Sequence, residues 1–450
     1  MRETLPVPRK RIIGGPLRVV AIFVVLMLLG ALGFFIWAKQ PVIAEVSPPA
    51  ASDFDQTTIA KGAMLASMGY CAECHTAQGG AAFAGGYPVP TPFGTIYGSN
   101  ITPDPQTGIG NWSEAAFLRA MHEGVARNGA YLYPAFPYNH FTLVSDDDAK
   151  AIYAYLMTRQ PMHNAVPAPK LPFPLNIRLV LAGWNILFFH EGRFRADPTR
   201  SAAWNRGAYI AEGLGHCAAC HTPHNALGAE MGAAAYAGGE SEGWLAPALN
   251  RASPAPAPWT EDELVAYLGN GFVQTHGMAA GPMSGVTESL QMLSRADLDA
   301  LATYIASFEP PPSPEKTAGA VAAADKTAYS VTSAQQMNLQ GPAGTGEAIF
   351  AAACASCHFQ GGDQPFYRPV AMGLSSVVHL PVPDNFIEIV LHGMQPPPGV
   401  PGRWMPPFAG VLTPNQIVLL AQYVRSHFTD APAWTQIDQT VAQIEKRIGQ

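Results

Sequence analysis

Residues 71–75 read Cys-Ala-Glu-Cys-His, and two further pentapeptides of the same form stand at residues 217–221 and 354–358. In each of them two cysteines lie three positions apart and a histidine follows at once. The chain contains six cysteines, and all six belong to these pentapeptides. Three copies of so specific a pattern indicate one structural unit used three times.

The pattern is the attachment signature of c-type haem. On a helical turn the two thiols can reach both vinyl groups of a porphyrin, while the next residue turns its imidazole to the iron. A thioredoxin-like redox pair would need a βαβ setting, and a zinc site would need clustered pairs of cysteines. The sequence therefore predicts three covalently bound haems c. The attachment residues are Cys71, Cys74, Cys217, Cys220, Cys354 and Cys357, and the proximal iron ligands are His75, His221 and His358.

Each pentapeptide is preceded by a short helical stretch with a glycine, at Gly62, Gly207 and Gly346. Each repeat then ends in an amphipathic stretch with a Ser or Thr start and a late tyrosine. These closing helices are predicted over residues 145–157, 294–308 and 413–428. A small residue on the first helix would allow the closing helix to cross it closely.

The sixth ligand of each iron sets its potential, and methionine raises that potential relative to histidine. In the third repeat Met405 lies on a proline-rich stretch just before the closing helix, with Met394 as its rival. In the second repeat Met283 follows Gly-Pro at the corresponding place, with Met278 as its rival. Met283 and Met405 are therefore the expected ligands.

The first repeat has Phe136 where this pattern would place a methionine. Met121, the methionine available before the closing helix, falls in the middle of a predicted helix. We therefore expect His140 to ligate the first iron, with His122 as the alternative. Bis-histidine ligation would give the first haem a lower potential than the other two.

An uncharged apolar run of twenty residues, 19–38, follows a basic N-terminus. At about 1.5 Å per residue, this run can cross a hydrocarbon core of about 30 Å. A cleaved signal peptide is the alternative, but its apolar stretch would be shorter. Because basic flanks stay in the cytoplasm, the rest of the chain is expected on the periplasmic side of the bacterial inner membrane.

The composition excludes several classes of protein. Of the 450 residues, 48% are hydrophobic and 13% charged, which excludes a disordered polymer and a coiled coil. The formal charge of −7 argues against a partner nucleic acid. No motif in the sequence predicts a catalytic residue in this chain itself.

Several stretches resemble the three-haem cytochrome c subunits of bacterial membrane-bound dehydrogenases. The stretches that carry the resemblance are residues 92–97, 100–104, 108–112, 133–141, 281–283 and 405–408. The resemblance implies that Trp112 borders the first haem, and that Trp244 and Pro247 border the second. Phe136 followed by His140 is similar to subunits that accompany molybdenum hydroxylases of aldehydes or N-heterocycles, rather than to alcohol-oxidising relatives.

The resemblance implies an electron-transfer subunit. A catalytic subunit, with a molybdenum-dependent aldehyde dehydrogenase favoured, would pass electrons through three haems to ubiquinone, and a small iron–sulfur subunit could complete the complex. The alternative is a quinoprotein alcohol or flavin sugar-acid dehydrogenase partner. Two functions of other classes stay open: a free-standing membrane-anchored redox carrier, and a haem peroxidase with an open sixth position.

The expected fold is all-α, with three tandem cytochrome c domains, long loops and one preceding transmembrane helix. The cytoplasmic tip and anchor take residues 1–40, and the domains take 55–165, 199–309 and 344–430. Residues 166–198 are an apolar linker with a possible membrane or partner contact, as an interfacial helix or as packing between two domains. Residues 310–343 are a Pro/Ala-rich linker, expected to be extended, and 431–450 are a C-terminal tail.

Overall fold

The computed structural model describes residues 15–327, 344–358, 371–396 and 404–448. The anchor and first repeat contain α1 Gly15–Ala38, α2 Gln56–Met68, α3 Cys71–Cys74, α4 Glu114–Glu123, α5 Tyr138–Phe141 and α6 Asp146–Met157. The second repeat and the segment before it contain α7 Leu181–Phe188, α8 Ala202–Glu212, α9 Ala218–His221, α10 Glu261–Asn270, α11 Pro282–Leu290 and α12 Arg295–Ala306. The remainder contains α13 Pro314–Thr327, α14 Gly346–Ala353, α15 Ser376–His379, α16 Asp384–His392, α17 Pro414–Phe428 and α18 Ile437–Ile448.

The predicted closing helices are confirmed as α6, α12 and α17, each starting one residue after its predicted Ser or Thr. Those residues, Ser145, Ser294 and Thr413, are the N-caps, and each side chain accepts a hydrogen bond from a backbone amide three positions on. An N-cap satisfies a donor that the helix start would otherwise leave unpaired.

The predicted glycine crossings also exist in all three repeats. A Cβ built on Gly62 would overlap the carbonyl oxygen of Ala151 on α6. The same overlap would occur between Gly207 and Ala300 on α12, and between Gly346 and Leu419 on α17. Glycine is therefore required where the first and last helices of each repeat touch backbone to backbone.

The all-α expectation needs a correction, because the loops fold into short antiparallel hairpins. The strands are β1 Pro88–Thr91, β2 Gly94–Tyr97, β3 Gly239–Ser241, β4 Trp244–Ala246, β5 Phe272–Val273 and β6 Gly277–Met278. They pair as β1–β2, β3–β4 and β5–β6. In the β3–β4 turn Glu242 and Gly243 both have positive φ, 53° and 82°, as a type I′ turn requires. Helices nevertheless form most of the regular structure that is described.

The first two repeats share one hydrophobic core, whereas the third has its own. Tyr209 of the second repeat donates a hydrogen bond of 2.5 Å to Asp148 of the first, and Lys61 pairs with the same carboxylate at 2.6 Å. Burial opposes ionisation of Asp148, but these two partners hold its pKa below the usual value. The predicted domains 55–165 and 199–309 are thus two halves of one packed unit.

The third repeat contacts the second through Asn385 on α16. Its side-chain amide accepts a hydrogen bond from the backbone N–H of Leu245 and donates one to the carbonyl of the same residue, both at 2.8 Å. This pairing continues the free edge of β4. The predicted tail is also part of this repeat, because Ile437, Val441 and Ile444 of α18 are buried in its core.

The linker predicted to be extended begins instead with the helix α13. Its sequence is rich in alanine, with a proline at the first position and Glu315 in the first turn, which favours a helix. Ala324 is buried against Gly373 and Leu374 of the third repeat. The rest of this linker, residues 328–343, lies outside the described residues.

Helix α1 confirms the predicted apolar helix, and residues Arg18–Ala38 are long and apolar enough to cross a membrane. It ends against the first repeat, where Ala38 is fully buried and its carbonyl accepts a hydrogen bond of 2.9 Å from the Tyr131 hydroxyl.

The close crossing at Gly62 predicts that a glycine-to-alanine substitution lowers the stability of the fold in α2 but not in α13. Gly62→Ala should lower the free energy of unfolding by about 1–3 kcal/mol, because the methyl group has to push α6 away. Gly319→Ala in α13 is the matched control, since open space surrounds Gly319 and alanine favours a helix by up to about 1 kcal/mol. Denaturant titration of both variants measures the difference, and equal stability of the two would contradict the close crossing.

Candidate redox centres

All three pentapeptides border one continuous cavity of about 2370 Å³. A single ligand usually occupies a pocket of about 300–1,000 Å³, so this cavity has the size for several large ligands. Its walls include aromatic side chains from every repeat, among them Trp112, Phe136, Trp244 and Phe386. A large flat apolar group attached at each pentapeptide would be shielded from water there.

The predicted proximal histidines of the first two repeats have the same orientation. His75 Nδ1 lies 2.6 Å from the carbonyl oxygen of Ser99, and His221 Nδ1 lies 2.7 Å from that of Pro247. A carbonyl only accepts, so Nδ1 must carry the proton, and Nε2 keeps a free lone pair. This carbonyl–imidazole arrangement is typical of metal-binding histidines.

Burial lowers the pKa of His75 and of His221, although the carbonyl hydrogen bonds oppose this shift. The neutral imidazole is the form that binds a metal. These observations show that the residues present fit a haem iron, with the two cysteines of each pentapeptide beside the histidine. The acceptor Ser99 could not be predicted from the sequence, and Pro247 was expected only as a neighbour of the second haem, because a backbone carbonyl does not depend on the residue type.

His358 of the third pentapeptide is half-buried, and desolvation lowers its pKa as well. Its Nδ1 has no hydrogen-bond partner among the described residues. Residues 359–370, which follow it, lie outside the described part of the chain. The third pentapeptide has the same residue types as the other two, and Cys354, Cys357 and His358 line the same cavity.

Both methionines proposed for the second and third centres line the cavity. Met283 stands in the first turn of α11, two positions after the N-cap Gly281, whose φ is 55°. Met405 exchanges two backbone hydrogen bonds of 2.9 Å with its rival Met394. The rivals Met278 and Met394 line the cavity as well, so the preference for Met283 and Met405 stays a prediction.

His140 has a different place from the one expected. It is 5% exposed, and it is absent from the walls of the cavity. Its Nδ1 lies 2.8 Å from the carbonyl of Glu212, and its Nε2 lies 2.6 Å from the carboxylate of Glu230. Both ring nitrogens thus form hydrogen bonds with residues of the second repeat, and neither is free to bind an iron.

The structure therefore does not support His140 as the sixth ligand, and the lower potential expected for a bis-histidine first haem loses its basis. The alternative, His122, also lies away from the cavity walls, with Nδ1 2.5 Å from Arg193. Met121 does line the cavity and is 4% exposed. Phe136, at the position where the other repeats carry methionine, lines it too.

The first two centres lie close to their shared boundary. Tyr70, just before the first pentapeptide, contacts Gly285 and points its hydroxyl at the carbonyl of Pro282, 3.4 Å away. Ser67 donates a hydrogen bond of 2.8 Å to the carbonyl of Ser289. The helix α11 that carries Met283 is thus packed against the helix that leads into the first pentapeptide.

Comparison with protein families gives two matches. The model of the cytochrome c family matches residues 59–160 and 205–309. The model of subunit III of the cbb3-type cytochrome c oxidase matches residues 341–424. Each of the three matched ranges contains one of the pentapeptides.

Curated relatives are subunits of several dehydrogenases. The chain is 44% identical to a subunit of the nicotinate dehydrogenase of Pseudomonas putida, over 90% of this chain and 33% of that protein. It is 35% identical to the fructose dehydrogenase cytochrome subunit of Gluconobacter japonicus, over 94% of this chain and 88% of the relative. It is also 35% identical to the gluconate 2-dehydrogenase cytochrome c subunit of Pantoea cypripedii, over 86% and 89%. The chain thus spans a third of the first relative and most of the other two.

The position of His140 predicts that its substitution lowers the stability of the fold and leaves the haem spectra unchanged. Burial alone would lower the pKa of His140, but the bond to Glu230 raises it above its ordinary value. The stabilisation is therefore complete below about pH 6.5 and is lost as the pH rises through the raised pKa. His140→Gln should cost about 1.5–3 kcal/mol of unfolding free energy at low pH and less at high pH, with unchanged haem spectra. Loss of a low-spin haem signal would restore His140 as a ligand.

The methionine assignments predict that leucine substitutions at Met283 and Met405 change the haem spectra, whereas those at Met278 and Met394 do not. Met283→Leu and Met405→Leu keep the side-chain volume but remove a thioether, so each should abolish one methionine–iron charge-transfer band and let the reduced haem bind carbon monoxide. Met278→Leu and Met394→Leu are the controls and should leave both properties unchanged. Optical spectra of the oxidised and the carbon monoxide-treated protein distinguish the four variants. The assignment is wrong at any centre where the control variant gives the effect.

Proposed function

Because the chain belongs to the family of cytochrome c subunits of dehydrogenases, we propose that it carries three covalently bound haems c and transfers electrons. In this proposal a catalytic dehydrogenase subunit on the periplasmic side supplies the electrons, and ubiquinone in the membrane receives them. The chain itself performs no substrate chemistry.

The observation that carries this proposal is the shared cavity. Residues of each pentapeptide line it, together with aromatic side chains such as Trp112 and Trp244. Haem iron supplies a one-electron couple when bound. Groups held in one apolar enclosure can exchange electrons without a diffusing carrier, which suits a relay better than three independent sites.

The residues of the chain have separate roles in the relay. The six pentapeptide cysteines would hold the porphyrins by thioether bonds, and His75, His221 and His358 would each offer Nε2 to an iron. Ser99 and Pro247 fix the orientation of two of these imidazoles through their carbonyl groups. Asn385 holds the third repeat against β4, beside the Trp244 wall of the second centre.

The membrane side of the cavity supports the quinone step. Helix α7 contributes Trp184, Leu187 and Phe188 to the cavity walls. The same helix packs near the end of α1, since Gly183 lies next to Phe34. A lipid-soluble acceptor could therefore approach the relay from the bilayer, beside the anchor.

For the catalytic partner we propose a molybdenum-type enzyme that oxidises an aldehyde or an N-heterocycle, with a small iron–sulfur subunit. The higher identity to the nicotinate dehydrogenase subunit than to the fructose and gluconate dehydrogenase subunits favours this class. Phe136 at the methionine position favours it too. A quinoprotein alcohol or flavin sugar-acid dehydrogenase is the second candidate, supported by the relatives that are named for such enzymes and align over nearly their whole length.

The experiment is gentle detergent extraction from the native membrane, followed by size separation and elemental analysis. We expect the chain to migrate with a large catalytic subunit, to contain three porphyrin adducts by mass, and to bring molybdenum and excess iron into the complex. The purified complex should reduce a short-chain ubiquinone when an aldehyde is added. Bound flavin or quinone cofactor without molybdenum would favour the second candidate.

A chain that migrates alone in every detergent would contradict the subunit role and leave a free-standing carrier. A mass short of three adducts would contradict the relay itself. Carbon monoxide binding to every haem of the untreated protein would point to open sixth positions, as a haem peroxidase requires.

A further inference from the structure

An exposed apolar surface lies on the segment between the first two repeats. We define the apolar foot as four of its side chains, which are 40–79% exposed: Phe173, Ile177, Ile186 and Leu187. Large apolar side chains exposed together on a soluble surface mark a contact with another apolar phase. The question is which phase covers this surface.

The opposite side of the same segment is packed against the end of the anchor. Leu181 and Ala182 of α7 are buried in a cluster with Ala38 and Tyr131. A Cβ built on Gly183 would lie 3.8 Å from the ring of Phe34 on α1. The foot is therefore continuous with the helix that the proposed function places in the membrane.

The contact fixes the depth of α7 relative to the bilayer. Phe34 stands four residues before the end of α1 at Ala38, so it lies about 6 Å inside that end. Trp37, 63% exposed on the same helix, is of the type that settles at the boundary between lipid and water. A helix that packs against Phe34 and Ala38 is at the level of this boundary.

The chain that leaves the anchor is bound tightly to the first repeat. Gln40 donates a hydrogen bond of 2.8 Å to the Tyr131 hydroxyl, and Arg119 donates one of 2.7 Å to the carbonyl of Pro41. Arg127 donates another, of 3.1 Å, to the carbonyl of Ile43. The first repeat therefore cannot swing away from the membrane on a loose tether.

We propose that the apolar foot inserts into the outer interfacial layer of the bilayer, as a second membrane contact beside the anchor. The occupant of this surface is lipid, because the surface continues the lipid-facing surface of α1 at the depth of the interface. Anchor and foot together hold the first repeat in one orientation, with the α7 side of the redox cavity facing the membrane. The proposal rests on the proposed function for the anchor and goes beyond it for the foot.

The test uses the full chain in vesicles of phosphatidylcholine and phosphatidylglycerol. Since every native cysteine is in a haem attachment site, a new cysteine is the single target for a thiol-reactive nitroxide label. Ile186→Cys and Phe173→Cys report on the foot and lie outside the cavity walls, Leu28→Cys marks the middle of the anchor, and Met292→Cys is an exposed control in the second repeat. Power-saturation electron paramagnetic resonance compares the accessibility of each label to oxygen, which concentrates in lipid, and to a water-soluble nickel chelate.

We expect the labels at 186 and 173 to favour oxygen over the chelate, as the label at 28 does, and the label at 292 to favour the chelate. The oxygen-to-chelate ratio at the foot should exceed that at 292 by at least about tenfold, since these sites lie in different phases. The foot proposal is overturned if the foot labels are as accessible to the chelate as the label at 292 while the label at 28 favours oxygen. That result would leave the anchor in place. Foot labels shielded from both reagents would also overturn the foot proposal, since protein would then cover the surface.

Failure of the proposed function would give different results in the same experiment. A wild-type chain that itself takes up the label would show free thiols and contradict haem attachment. A label at 28 that favours the chelate would contradict the anchor, and the foot with it. Unchanged haem spectra in all four variants show that the substitutions leave the fold intact.

Discussion

The backbone contact at a glycine is the constraint on which the rest of this structure depends. In each repeat the first and closing helices touch at Gly62, Gly207 or Gly346, where any side chain would overlap a carbonyl oxygen of the other helix. The contact holds the Cys-x-x-Cys-His turn, which follows the first helix, at a fixed distance from the core. The N-caps at Ser145, Ser294 and Thr413 then set where each closing helix begins.

The second level of organisation is the union of the repeats around one cavity. The first two repeats share a core and are joined at Asp148, Tyr209, His140 and Glu230. The third keeps its own core and is held by the paired hydrogen bonds of Asn385. A shared enclosure suits the proposed relay, because an apolar passage replaces the water that would separate independent domains.

The proposed anchor would give this relay a direction. The end of α1 is buried against Tyr131, and α7 connects it to the cavity walls at Trp184 and Leu187. A redox chain anchored through a flexible linker would sample many orientations. Here the hydrogen bonds of Gln40 and Arg119 keep the chain after the anchor attached to the first repeat.

The sequence by itself determined what depends on local patterns: the three pentapeptides, the closing helices with their caps, the crossing glycines and the apolar N-terminal helix. Only the tertiary structure decided the position and the partner of His140, which pairs with Glu230, ninety positions later in the chain. It also revealed the carbonyl groups of Ser99 and Pro247, since backbone atoms are the same in every residue type. The helix α13 was missed although its alanine residues and its first turn favour a helix, because the linker was interpreted by its overall Pro/Ala composition. The packed tail was missed because the burial of its apolar residues depends on the core of the third repeat. Pairings between distant residues cost chain entropy and depend on the complete fold, so periodicity and spacing cannot specify them.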